Sequence, residues 1–318
     1  MSAFSNIRVI ACAAALSPFV LSSAFAADKI GISLPTVQGP YFTAAIYGYM
    51  EEAKARGFEV ILLDAGGYGK PDRQISDMQN LLAQNVKAII VDPADDTSFV
   101  GVLAEAAEAN VPVVASGAPL TGAGGSVSAS HCDLGKAMGQ GAMELLPEGG
   151  TMLALTGPAG GFWAAERWRC FKEEIAGGKI EIVAEQTSEP DAATGLGIAT
   201  DMLQRFPDVN LVYGADDTVG VGAARAVQAE GRCGQVKVLT AILGATTEEL
   251  MRAGCVDYVV AQRVVVIGRN TIAMVEDLIN GRTPPEKDVV VPTVAVTPAN
   301  LDSVDQGEIR QPAGWSVP

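Results

Sequence analysis

Short apolar runs rich in valine and isoleucine alternate along this chain with longer segments in which apolar residues recur every three to four positions. The runs predict strands buried on both faces, and the periodic segments predict helices that cover them. Strands are expected at 30–33, 60–63, 88–91, 113–115, 152–155, 180–184, 211–213, 236–240 and 256–261. Helices are expected at 41–56, 72–84, 98–109, 134–145, 163–176, 194–205, 218–230, 246–253 and 264–280. Regular strand–helix alternation of this kind builds parallel sheets through crossover helices.

A glycine-rich stretch from Gly117 to Gly125 interrupts the series and divides it into comparable halves. It reads as a crossover between domains. The expected fold is α/β, with two similar doubly wound parallel-sheet lobes rather than one long sheet. A ligand would then sit where the carboxyl ends of the two sheets face each other.

Composition narrows the partners. A length of 318 residues with 48% hydrophobic content suits two domains. A net charge of −15 with no basic run repels a phosphate backbone, so no nucleic-acid partner is expected. A single histidine leaves a multi-histidine zinc site without ligands, and no metal or other cofactor is expected. The N-terminus carries Arg8, an apolar run over 9–20 and the small-residue triplet Ala24-Phe25-Ala26. This is the grammar of a signal peptide, 1–26, cleaved after Ala26. Its apolar run is shorter than the ~20 residues that span a bilayer, so the mature chain is expected to leave the membrane.

In an oxidising compartment the cysteines of the mature chain can pair. Cys132, Cys170, Cys233 and Cys255 allow three connectivities, and four buried thiols is the alternative. Cys233 and Cys255 each precede a predicted strand, which makes them the candidate pair.

Catalytic motifs do not survive inspection. Gly66-Gly67-Tyr68-Gly69-Lys70 runs into Pro71 where a phosphate loop needs a hydroxyl side chain, and Gly220-Val221-Gly222 lies inside a predicted helix. The one histidine, His131, has Ser130 and Cys132 as its neighbours, and adjacent residues do not aim at one reacting atom. No catalytic residue is expected, with an enzyme using Asp216, Asp217 or Glu189 as the rival. Asp95, two residues before Thr97, reads as a cap for the next helix.

Several aromatic and polar residues fall just after the carboxyl ends of predicted strands. In the first half these are Tyr41, Phe42 and Tyr68. In the second, His131 opens the lobe, Phe162 and Trp163 follow its first strand, and Glu189, Asp216 and Gln262 follow later ones. A few rings with a few polar groups on one edge would line a small-molecule cleft.

Several motifs in order resemble the sugar-binding class of type I periplasmic binding proteins, whose fold is shared by the effector domains of LacI-type repressors. They are Asp28-Lys29-Ile30-Gly31-Ile32, Pro40-Tyr41-Phe42, the segment Gln74 to Leu81, Ala88 to Pro93, Val111 to Val114 and Pro292 to Pro298. The resemblance implies two lobes joined by a three-crossing hinge that closes on ligand. One lobe would be 28–129 plus 263–291, and the other 130–262 plus 292–318. It also implies a periplasmic location and a membrane partner, an ABC permease or a sensor kinase.

Asp216 and Gln262 match ligand positions of that class. Its sugar-clamping Asp-Arg pair and following arginine correspond here to Gly117-Ala118 and Ala165. A finer likeness is to the TorT subfamily, periplasmic partners of trimethylamine-N-oxide sensor kinases. It rests on Tyr47-Gly48, Ala65-Gly66-Gly67-Tyr68, Gly157-Pro158 and Gln311-Pro312-Ala313-Gly314-Trp315. That likeness implies an aromatic cage of Tyr41, Phe42, Tyr68 and Trp163, and places methylated amines or N-oxides ahead of sugars and polyols.

Overall fold

The computed structural model describes residues 27–318; the leader expected at 1–26 lies outside them. The first lobe holds β1 (Lys29–Leu34), β2 (Glu59–Asp64), β3 (Ala88–Val91), β4 (Val113–Ser116) and β5 (Gly125–Ser128), joined late in the chain by β11 (Asp288–Val290). The second holds β6 (Gly150–Leu155), β7 (Ile180–Gln186), β8 (Leu211–Gly214), β9 (Lys237–Ala241), β10 (Tyr258–Ala261) and β12 (Val294–Val296). The sheet orders are β11-β5-β4-β3-β1-β2 and β12-β10-β9-β8-β6-β7, the same spatial order twice. Neighbouring strands run parallel except β12, which pairs antiparallel with β10.

Helices cover both faces of each sheet. In the first lobe α1 (Pro40–Ala55) and α9 (Val264–Ile279) pack on Ile30, Ile32, Ile90 and Val114. On the opposite face α2 (Pro71–Ala83) and α3 (Val100–Glu108) pack on Ile89, Val91 and Val113. This two-sided burial explains why the strands read as unbroken apolar runs rather than alternating ones. The second lobe repeats the plan with α4 (His131–Leu145), α5 (Phe162–Ile175), α6 (Ala192–Arg205), α7 (Asp217–Ala229) and α8 (Ala245–Arg252).

Glycine sets the helix spacing at two contacts. A Cβ on Gly48 of α1 would lie 2.6 Å from the Val265 carbonyl oxygen, and one on Gly268 of α9 would lie 2.7 Å from that of Ala45. On α4, a Cβ on Gly135 would overlap the Arg167 carbonyl of α5. Neither pair of helices could approach so closely with larger residues.

The chain passes between lobes three times, after β5, after β10 and between β11 and β12. The glycine-rich stretch expected to be the first crossing lies instead within the first lobe, leading into β5. Gly124 and Gly125 let that strand lie close under Leu278, Met274 and the Lys287 carbonyl.

The tail also departs from expectation. After β12 it packs Leu301, Val304 and Ile309 on the second lobe, the last on the short α10 (Gln306–Ile309). Trp315 and Val317 then return to the first-lobe core, Trp315 meeting the Tyr47 ring edge-on at 5.4 Å. The assignment of all of 292–318 to the second lobe is corrected accordingly, because Trp315 packs on Tyr47 of α1 and Val317 joins the same first-lobe core.

Both sets of cysteines pair. Cys233–Cys255 has Cα atoms 4.5 Å apart, and Cys132–Cys170 joins α4 to α5 with Cα atoms 5.2 Å apart. Each closes a loop in the unfolded chain, which by loop entropy stabilises by roughly 3–4 kcal/mol.

Candidate ligand site between the lobes

In the first sheet the helices after β1 and β3 leave toward opposite faces, which opens a crevice at the carboxyl ends of these neighbouring strands. The second sheet has the same switch between β6 and β8. The two crevices face each other across one pocket, with an empty volume of about 820 Å³ including its mouth.

Rings form one wall. Tyr41 and Phe42, presented by the first turn of α1, have centroids 5.2 Å apart; Phe42 lies 6.1 Å from Tyr68, and Tyr68 lies 6.3 Å from Trp163 of the other lobe. Phe162 stands beside His131 at 6.4 Å. Pro40 at the first helical position and Gly39 at φ 87° turn the chain sharply out of β1, so that Tyr41 and Phe42 enter the cleft side by side.

The polar groups are buried and held from behind. Asp92 sits at the end of β3, its backbone pinned by Gln74 of α2, whose amide donates to the Asp92 carbonyl at 2.8 Å and accepts from the Ala94 N–H at 2.8 Å. Its carboxylate packs against the Cα of Gly117 beside the Tyr41 hydroxyl, which has no hydrogen-bond partner among the described residues. Burial pushes the Asp92 carboxyl well above the usual carboxylate range.

Across the cleft, Arg167 donates to the Ala215 carbonyl at 2.9 Å, lies 3.4 Å from His131 Nδ1, and stacks its guanidinium 4.6 Å from the Trp163 ring centre. His131 Nε2 is 3.0 Å from the Gly117 carbonyl, which fixes the neutral tautomer with the proton on Nε2. The Cys132–Cys170 bridge anchors both residues, since Cys132 follows His131 and Cys170 lies one turn beyond Arg167.

Asp216 caps α7, accepting from the Val219 N–H at 2.9 Å and from the Thr218 hydroxyl at 2.8 Å. Asp217 is buried beside it, its Oδ2 without a partner among the described residues. Burial raises both carboxyls, and for Asp217 the Asp216 charge adds to the effect.

Burial and the Arg167 charge hold His131 down at about 3, from an ordinary 6.5. Below pH 6.5 the unfolded chain protonates this residue and the folded chain does not, so stability falls as pH drops through that window. The raised carboxyls act oppositely, because the folded state takes up their protons first. The His131 contribution is therefore best read as a difference. Urea unfolding of wild type and His131→Asn should show the stability gap narrowing by about 2 kcal/mol between pH 6.5 and 4.5. A constant gap would mean that His131 takes up its proton in the fold over the same pH range as in the unfolded chain.

Of the residues expected at the site, Tyr41, Phe42, Tyr68, His131, Trp163 and Asp216 line the pocket. Glu189 does not. Its carbonyl accepts from Ser188 and Asp191 in the turn before α6, and its side chain is exposed, leaving Pro190 to face the cleft. Gln262 is fully buried at the second crossing, outside the lining, and both of its amide atoms lack a partner among the described residues. Asp95 lines the rim while accepting from the Thr97 and Ser98 N–H groups in the turn ahead of α3.

Asp92 and Arg167 are lining residues that sequence reasoning did not select. Arg167 follows Trp163 by one helical turn, so the ring already selected marked the face on which the guanidinium would lie. Among the described residues one close group of metal-ligand types occurs, Cys132, Glu166 and Cys170, and its two sulfurs are joined to each other.

A family model described as a periplasmic binding protein domain matches residues 30–283. The chain is similar to the ribose import binding protein RbsB of Escherichia coli K12, 29% identical over 230 residues that cover 71% of this chain and 77% of that one. It is similar to the D-allose-binding periplasmic protein of the same organism, 28% identical over 267 residues covering 80% and 86%. Among solved structures, an ABC transporter solute binding protein from Mycobacterium smegmatis with bound glycerol superposes with a TM-score of 0.82 at 26% identity, covering 90% of this chain and all of that one.

Proposed function

The chain belongs to the periplasmic binding protein family, and from that premise we propose that it traps a sugar or polyol between its lobes and delivers it to an ABC permease. It is a binding protein and not an enzyme, as its relatives are. The observation that carries the reading is the pocket itself: both lobes supply rings, and both supply buried polar groups without partners among the described residues. Rings cover the apolar face of a sugar-like ring, and buried donors and acceptors satisfy its hydroxyls. A ligand touching both lobes favours closure by its differential affinity for the closed state. The closing units are 28–129 plus 263–291 and 130–262 plus 292–309, and export through the 1–26 leader places the protein in the periplasm.

The ribose- and allose-binding relatives support sugars ahead of methylated amines, reversing the order expected from the sequence. One observation keeps the second reading in play. The four rings Tyr41, Phe42, Tyr68 and Trp163 stand in contact order across the cleft, an arrangement that suits a methylated amine or N-oxide presented to a membrane sensor kinase.

The test is a thermal-shift screen of residues 27–318 against monosaccharides, polyols and methylated amines, followed by calorimetry. A ligand at a thousand times its Kd should stabilise the fold by about 4 kcal/mol. A screen in which no small solute raises the melting temperature would overturn the binding reading.

A further inference from the structure

We propose that this pocket selects a solute carrying a positively charged nitrogen, with the Asp92 carboxylate as its counter-ion. The inference rests on the solute-binding reading and narrows the class of ligand.

Charge in the cleft does not balance. Asp92, Asp216 and Asp217 are buried there against one guanidinium, Arg167, while His131 is neutral. Arg167 is already engaged with the Ala215 carbonyl, His131 and the Trp163 face. Asp216 spends one oxygen on the α7 cap. Asp92 has no side-chain hydrogen bond or ion pair among the described residues, yet Gln74 fixes its backbone and Gly117 leaves room for its carboxylate.

A neutral sugar would leave the Asp92 carboxyl either protonated or closed over as an uncompensated charge, and the second is costly once water is excluded. A cationic nitrogen would neutralise Asp92 and lie against the negative faces of the neighbouring rings. Two kinds of solute share this chemistry, a protonated amine on a polyhydroxylated ring and a quaternary ammonium compound. The other titratable or charged groups around Asp92 and its cleft are Tyr41, Tyr49 and Tyr68 from the same lobe, His131, Arg167, Asp216 and Asp217 across the cleft, and Asp95 and Asp96 on the adjoining loop. Because burial raises the Asp92 carboxyl, a cation should bind more tightly as pH rises and this group ionises.

The test uses matched pairs that differ in the charged nitrogen: glucosamine with glucose, an aminocyclitol with its parent cyclitol, and choline with 3,3-dimethylbutanol. Calorimetry on residues 27–318 should find the cationic member at least about 30-fold tighter in one pair, and which pair responds separates amino polyols from quaternary ammonium compounds. Asp92→Asn should reduce that preference about tenfold while circular dichroism and melting stay near wild type. The wild-type preference should also shrink on acidification, a readout independent of any variant. Neutral members binding as tightly as their cationic partners, or a preference unmoved by both Asp92→Asn and acid, would overturn the inference and leave the sugar reading standing. If no member of any pair and no neutral sugar binds, the solute-binding reading fails and the inference falls with it.

Discussion

Gly117→Ala should abolish ligand binding, a loss of more than about 100-fold, in a protein that still folds. Gly117 has φ 79°, a region that costs an L side chain roughly 1–2 kcal/mol. The steric term is larger. The new Cβ would overlap the Asp92 carboxylate and stand 2.6 Å from the Tyr41 hydroxyl, so both groups must leave their positions at the pocket wall. The same peptide supplies the carbonyl that receives the His131 proton, so a shift there also disturbs the pair across the cleft. Calorimetry with the ligand found by screening, alongside a melting curve, checks the result. Wild-type affinity in Gly117→Ala would mean that neither Asp92 nor Tyr41 contacts ligand.

Gly135→Val should destabilise the protein by about 3 kcal/mol, the upper part of the range for overpacking a close contact. The obstacle is backbone, the Arg167 carbonyl with its Cα 3.0 Å from the added carbon, and backbone cannot rotate aside. The Cys132–Cys170 bridge ties the two helices within a turn of the clash and keeps them from separating there. The strain therefore reaches Arg167 and His131, and ligand affinity should fall together with stability. Urea unfolding should show a lower midpoint at an unchanged slope. A midpoint within 0.3 M of wild type would show that α4 and α5 have room to part.

Strands β1 to β4 and β6 to β10 and helices α1 to α9 were legible because two-sided burial writes itself as continuous apolar runs, whereas β11, β12 and α10 are too short to show a pattern. β5 was not legible either, since Gly125-Ser126-Val127-Ser128 contributes one large apolar side chain and follows glycines that read as a linker. In the cleft, rings after strand ends could be found by position, as Tyr41 and Trp163 were. Glu189 obeyed the same positional rule and failed, because a short turn decides by its hydrogen bonds which of two adjacent residues faces inward. Asp92 escaped notice for the opposite reason. What makes it distinctive is the lack of a side-chain partner among the described residues, and that exists only once Gly117, Tyr41 and Gln74 surround it.

The docking of Trp315 on Tyr47 bears on how lobe movement can be measured. It anchors the carboxyl end to the lobe that also carries β1. A fluorophore at Pro318 would therefore travel with the first lobe. Paired with a dye at position 197, exposed on α6 with open space around it, it should report closure as a change in energy transfer. Paired with a dye at position 57, in the turn after α1, it should report a constant distance and serve as the internal standard.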